Sequence, residues 1–234
     1  MTTITWNRPE RLNAWDLETM TTIADAVEAA AADESARCIV LRGAGGHFSA
    51  GDDLHAALAA TKKTWAATIE AFQRLTRVVL ASPLPVLAAI DGVCVGGAFE
   101  FACSCDARIF TSRSRFLTPE VRIGFVMSNA GSLFVPHVLG ESAARELLLT
   151  GAEKDADWAA AHGFGTLTDD LDAAVAAWVD GFEATSRTAV AVTKRLLNER
   201  WGDALIHAMD RETRWCVDLF DSPDAQAALR AFPR

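Results

Sequence analysis

Pro83-Leu84-Pro85 leads into the apolar run Val86-Leu87-Ala88-Ala89-Ile90, and Asp91-Gly92 turns the chain into Val93-Cys94-Val95, Gly96-Gly97-Ala98 and Phe99-Glu100-Phe101-Ala102-Cys103-Ser104-Cys105. This order predicts strand, turn, short strand, glycine step and buried helix. Glycines let a backbone approach a ligand where a side chain would obstruct it. A helix that starts at such a step offers unpaired N–H groups and the positive end of its dipole, a setting for an oxyanion. Glu100 falls in the first turn of a helix that is otherwise apolar all round. A second carboxylate, Glu120, follows Pro119. By themselves both have bland readings: Glu100 as a first-turn glutamate answering its helix N-terminus, Glu120 as a surface glutamate at a turn.

Outward from this stretch, strands and helices alternate through the first half, so the class is α/β. Thr2 to Trp6 and Cys38 to Leu41 read as strands. Asp16 caps a helix that reaches about Ala32. Residues from Thr64 to Leu80 place Trp65, Ile69, Phe72, Leu75 and Val79 on one helical face. Ala107 to Phe110 and Arg115 to Leu117 read as further strands. Beyond Ser128 the chain is mostly helical, with segments over 142–149, 155–161, 169–184, 188–199 and 201–231, the last broken at Ser222-Pro223. The division expected is a core over 1–175 and a helical region over 176–234.

Among 234 residues half are hydrophobic, enough for a sizeable core, and the net charge of -9 argues against nucleic acid or an anionic membrane as the main partner. No run of eighteen apolar residues suggests a membrane span, and the N-terminus has no signal-peptide pattern. Cys38, Cys94, Cys103 and Cys105 sit in apolar contexts and read as buried reduced thiols, which points to the cytoplasm. Cys103-x-Cys105 has no second ligand pair nearby, so no metal site is expected. Ser49 beside His47 is not in a G-x-S-x-G setting and reads as a loop serine. His55, His137, His162 and His207 have no ligand spacing. Asp106-x-Arg108 reads as a structural ion pair.

Five motifs together resemble the enoyl-CoA hydratase/isomerase (crotonase) superfamily. They are Asn7-Arg-Pro-Glu-Arg-Leu-Asn-Ala14, Phe48-Ser-Ala-Gly-Asp-Asp-Leu54, Pro85 through Arg108, Pro119-Glu120-Val-Arg-Ile-Gly124 and Leu148-Leu-Thr-Gly151. The resemblance implies a spiral of ββα repeats with a helical C-terminal trimerisation region, as a homotrimer or hexamer. It implies an acyl-CoA or acyl-carrier thioester as substrate, in fatty acid metabolism, with CoA part of the substrate and no separate cofactor. Carried over residue by residue, it makes the backbone N–H groups of Asp52 and Gly97 the oxyanion donors and Glu100 and Glu120 the acid/base pair. Ala50, Leu54, Arg11, Met127 and Ser128 become substrate-binding candidates, Arg11 toward the CoA phosphates and Met127 with Phe125 toward the acyl group. At Asp52 only the backbone is asked to donate; its carboxyl, if close to a developing enolate, would be unfavourable unless turned to solvent.

The resemblance implies hydration of a conjugated thioester, with a water shared by the two glutamates. Such a buried pair does not easily ionise twice, so at least one pKa is expected to rise. An isomerase moving a double bond through the same enolate needs one carboxylate. A non-catalytic binding or assembly member is the reading from another class. A hydrolase of the superfamily lacks a clear His/Asp set here. The chain departs from the hydratase pattern in three places. Ser128 stands where a glycine N–H helps hold the water. The leading strand is shorter. The tail Ala231-Phe232-Pro233-Arg234 lacks a basic-aromatic extension. With no tyrosine in the chain, tyrosine-based chemistry is excluded. Trp201, Trp215, Leu219 and Phe220 suggest self-association of the C-terminal helices.

Overall fold

Val86 to Ile90 is the strand from which both faces of the main sheet are buried. A computed structural model describes residues 1–231; the expectation for Phe232 to Arg234 lies outside the described residues. The strands are β1 (Thr2–Trp6), β2 (Ile39–Gly43), β3 (Val86–Ile90), β4 (Val93–Val95), β5 (Ala107–Thr111), β6 (Arg115–Leu117), β7 (Lys154–Asp155) and β8 (Thr166–Thr168). The helices are α1 (Leu17–Ala32), α2 (Leu54–Leu58), α3 (Lys62–Ala81), α4 (Gly97–Ser104), α5 (Gly131–Leu139), α6 (Glu141–Thr150), α7 (Ala156–Ala161), α8 (Leu171–Asp180), α9 (Arg187–Glu199), α10 (Gly202–Leu219) and α11 (Pro223–Ala231).

The main sheet has the order β1-β2-β3-β5-β8, parallel throughout. Side chains alternate along a strand, so Val86, Ala88 and Ile90 of β3 enter the large core while Leu87 and Ala89 pack with Val175 of α8. That explains an unbroken apolar run where a half-exposed strand would alternate. A second sheet, β4-β6-β7, pairs β4 with β6 in parallel and β6 with β7 antiparallel. A bridge from Ser49 to Cys94 ties the loop after β2 to this sheet. Helix α4 is buried along its whole length.

Most predicted elements are present with shifted ends. Asp16 caps α1 by accepting the Thr19 N–H at 2.8 Å. Helix α3 starts two residues before the expected Thr64, because Thr61 and Thr64 form a reciprocal capping box. Helix α8 covers only part of the expected 169–184. The sequence pattern missed α2, β7 and β8. Thr166-Leu-Thr168 is too short to show a period, and it is a strand because β5 offers it an open edge. Asp106 and Arg108 do not pair with each other. Asp106 accepts the Val86 N–H and pairs with buried Lys194 of α9 at 2.7 Å, whereas Arg108 donates to the carbonyls of Cys105, Ala102 and Phe164. All five cysteines are free and buried, Cys216 included.

Candidate active site

Two backbone loops meet at the centre of the molecule. Gly51 has φ 81°, and a Cβ on it would lie 2.5 Å from the Val95 carbonyl oxygen and 3.5 Å from the Gly97 nitrogen. Only glycine allows that approach. The first loop is held in shape from behind. Ser49 Oγ donates to the Asn13 carbonyl and accepts the Gly51 N–H, which makes Ser49 a loop-holding serine. Asn13 donates to the carbonyls of Ala44 and His47. Arg8 pairs with Asp16 and Asp53, each at 3.0 Å. Trp15 donates to the Gly51 carbonyl and accepts the Asp53 N–H, so the Asp52 N–H between them points away from this bridge. Beyond its own carboxyl, that N–H has no acceptor among the described residues. Gly97 opens α4, and its N–H belongs to the unpaired first turn.

Gly96 adopts φ 57° and ψ -129°, a conformation that other residues rarely reach. A Cβ there would stand 2.8 Å from Glu120 Oε1. The glycine step thus brings Glu120, from the single turn Glu120–Arg122, over the start of α4.

A cavity of about 470 Å³ opens beside these groups. Its lining includes Asp52, Glu120, Ala50, Leu54, Arg11 and Ser128 among the residues expected from the sequence, and Gly96 next to Gly97. His55 also lines it, at the start of α2. Met127 does not; Phe125, Val126, Ile123 and Trp65 form the apolar wall. The segment from Gly124 to Ala130 is irregular, so no sequence period tells which of its side chains turns inward. Glu100 does not line the cavity either. It lies just behind the wall, about 1% exposed, with Oε2 accepting the N–H groups of Ser128 at 3.1 Å and Asn129 at 2.8 Å. The Ser128 N–H, expected to help hold a water, is therefore engaged by Glu100. Glu100 Oε1 is buried and has no partner.

The carboxyls gathered here resist ionisation together. Burial, the neighbouring Glu120 and then Glu212 push the Glu100 pKa well above the usual carboxylate range, against the two N–H donors. Burial lifts Glu120 to about 7. Asp52 is lifted to about 8 by burial, then by the charge of Glu120, then by Asp53, while its own N–H pulls the other way. Asp52 is half-buried in the cavity wall, where its raised pKa favours the protonated acid. A protonated acid spares a nearby enolate the repulsion that a carboxylate would bring.

Sequence reasoning missed the contribution of α10. Cys216 lines the cavity and donates to the Val126 and Met127 carbonyls. Phe220 stacks on Trp65 with ring centres 5.6 Å apart. Gln73 of α3 donates to Ser128 O, Met209 O and Thr213 Oγ1, joining α3, the site and α10. The amphipathic pattern signalled a helix here, without saying what its apolar face covers. Among the described residues no cluster of three or more His, Cys, Asp or Glu side chains could hold a metal, and no helix is long and apolar enough to cross a membrane.

The sequence matches the family model for enoyl-CoA hydratase/isomerase over residues 1–233. It is 30% identical over 234 residues to the Mycobacterium leprae protein named "Probable enoyl-CoA hydratase echA8", covering 98% of this chain and 90% of that one. It is 29% identical over 234 residues to the crotonyl-CoA hydratase of Syntrophomonas wolfei, covering 97% and 88%. The crystal structure of an enoyl-CoA hydratase from Mycobacterium avium subsp. paratuberculosis superposes with a TM-score of 0.89 at 28% identity, covering 98% of this chain and 93% of that one. The crotonase fold expected from the motifs is the fold of these neighbours.

Proposed function

The chain belongs to the enoyl-CoA hydratase/isomerase family, and we propose that within it the protein is a hydro-lyase, adding water to a conjugated acyl-CoA thioester or removing it. The observation that carries this reading is the meeting at one cavity of Asp52, whose N–H has no acceptor beyond its own carboxyl among the described residues, with Glu120 and with Gly96, beside the unpaired Gly97 N–H. Two donors aimed at one carbonyl oxygen stabilise the charge that builds there in the enolate; losing one such donor typically costs about 2.7–4 kcal/mol in the barrier. Glu120, half ionised near neutral pH, takes the proton of the water whose oxygen bonds to the β-carbon. Glu100, held protonated, supplies the proton to the α-carbon and ends as a carboxylate steadied by the Ser128 and Asn129 N–H groups. Crotonyl-CoA is the first substrate to try, since one relative is named for it. No cofactor beyond the CoA of the substrate is needed for these steps.

A double-bond isomerase is the second reading, favoured by one observation: Glu120 opens on the cavity and Glu100 does not. We also propose self-association through the apolar side chains left exposed on α9 and α10, Leu196, Ile206 and Trp215. Phe220 and Trp201 are not part of that surface, because Phe220 is buried against Trp65 and Trp201 packs on Phe134.

The test is loss of enoyl absorbance with crotonyl-CoA, run beside Glu100→Gln and Glu120→Gln. Turnover that both variants lose is the expected result. Wild-type turnover in folded Glu120→Gln would overturn the assignment. Isomerisation of a non-conjugated enoyl-CoA that survives Glu100→Gln, with no hydration, would establish the second reading.

A further inference from the structure

The segment 128–132 is gripped by carboxyls from two sides. Glu100 of α4 takes the N–H groups of Ser128 and Asn129 on Oε2. Glu212 of α10, 5% exposed, takes the Ser132 N–H on Oε1 at 2.8 Å, and the Ala130 and Gly131 N–H groups also act on it. Between the two grips sits Ala130, buried, in the left-handed region at φ 57° and ψ 26°. A non-glycine residue holds that conformation only where its surroundings impose it. Helix α3 adds two ties: Gln73 to the Ser128 carbonyl and to Met209 and Thr213 beside Glu212, and Thr76 to Asn129 Oδ1. Glu212 Oε2, like Glu100 Oε1, is buried without a partner. Glu212 thus holds the far end of the turn whose near end Glu100 leans on.

We infer that Glu212 is a positioning residue: it holds the 128–132 turn so that the Ser128 and Asn129 N–H groups stay on Glu100. Burial raises the Glu212 pKa, against the Ser132, Ala130 and Gly131 N–H groups that favour its carboxylate. The titratable groups bearing on Glu100 are Glu120 from its turn, Glu212 and Cys216 from α10, and Cys103 from its own helix. Helix α3 faces this region with neutral Gln73 and Thr76, and α5 with backbone N–H groups. No cation balances Glu212 among these neighbours.

The link to turnover rests on the hydratase reading, but the test does not. Carbon-13 labelling of glutamate carboxyls gives the titration of Glu100 directly, its signal assigned by its absence in Glu100→Gln. Glu212→Gln and Glu212→Ala both remove the carboxyl, and only Glu212→Gln keeps an oxygen for the Ser132 N–H. With the turn released, the Ser128 and Asn129 N–H groups no longer steady the Glu100 carboxylate, so the Glu100 midpoint is expected to lie about half a pH unit or more higher in Glu212→Ala than in Glu212→Gln. In the active enzyme kcat should be about tenfold or more lower in Glu212→Ala than in Glu212→Gln, with KM within about twofold. Equal Glu100 midpoints in the two folded variants overturn the inference, whether or not the protein hydrates crotonyl-CoA. If Glu212→Ala does not fold, Glu212→Ser, which cannot reach the Ser132 N–H, takes its place, and a midpoint equal to that of Glu212→Gln overturns it too.

Discussion

Asp52 and Glu120 face one cavity from two different loops, and burial, then the charge of Glu120, lifts the Asp52 pKa to about 8. Asp52 also has its own N–H close to that carboxyl. Once ionised, the side chain is itself an anion at the donor proposed for the thioester oxygen. In the wild type, kcat/KM is expected to fall above about pH 8, by up to about tenfold per pH unit. Asp52→Asn should remove that limb. A pH profile of the variant that matches the wild type would place the carboxyl away from the reacting atoms.

The same shift has a consequence for stability. Folding raises the Asp52 pKa above that of the unfolded chain, so the folded state binds the proton more tightly. The stabilisation from that proton is complete below about pH 4 and is lost as pH rises toward about 8. Asp52→Asn and Glu120→Gln should therefore raise the melting temperature at pH 7 and leave it nearly unchanged near pH 4. Melting curves at the two pH values decide this.

Trp65 stacks on Phe220 and packs against Phe125, while its indole N–H is buried without a partner. Trp65→Phe keeps a ring and removes that orphan donor, so its cost in urea unfolding is expected to be about 1 kcal/mol or less. Trp65→Ala should cost about 3–5 kcal/mol. It also enlarges the apolar end of the cavity, so KM should fall for longer acyl chains relative to crotonyl-CoA. Equal chain-length profiles would show that this wall does not meet the acyl group.

At Ala130 three effects offset one another. Glycine relieves left-handed strain of about 1–2 kcal/mol, but loses a buried methyl of about 0.8 kcal/mol and adds freedom to the unfolded chain. Ala130→Gly is expected within about 1 kcal/mol of the wild type. Ala130→Val, branched and buried in that conformation, should cost about 3 kcal/mol. Chemical denaturation of the two variants separates strain from packing.

Lys194 is buried on α9, pairs with Asp106 at 2.7 Å and donates to the Leu84 carbonyl. Lys194→Met leaves Asp106 without its cation and is expected to cost about 3 kcal/mol. Adding Asp106→Asn should recover part of that loss in a double-mutant cycle. Additive effects would mean that the pair contributes nothing as a pair.

The run from Val86 to Cys105 was legible because its pattern is local: an apolar strand, a turn, two glycines and a helix with one carboxylate. The same holds for the Asp16 cap and for α3. The five motifs carried Glu120, Asp52 and Gly97 to one region; Asp52 and Glu120 line one cavity, and Gly96, next to Gly97, is in its wall. Other features arise only when distant segments meet. The protonated state of Asp52 depends on burial by chain far from it in sequence. The inward turn of Val126 in place of Met127 is a choice of backbone path in an aperiodic segment. Asp106 and Arg108 looked like a pair because they are neighbours in sequence, but strand geometry sends them to different partners. Glu212 and Cys216 carried no signal, because an amphipathic helix announces a buried face and not the carboxylate it will meet.

Helix α10 follows every other element of the site along the chain, yet it supplies Cys216 to the cavity wall and Glu212 to the turn that holds Glu100. Asp52, Gly97, Glu100 and Glu120 all precede that helix in the chain and leave the ribosome before it. Until α10 docks, Trp65 has no Phe220 to lie against and the 128–132 turn lacks the carboxyl that takes its Ser132 N–H; the part of the site made last is the part that closes it.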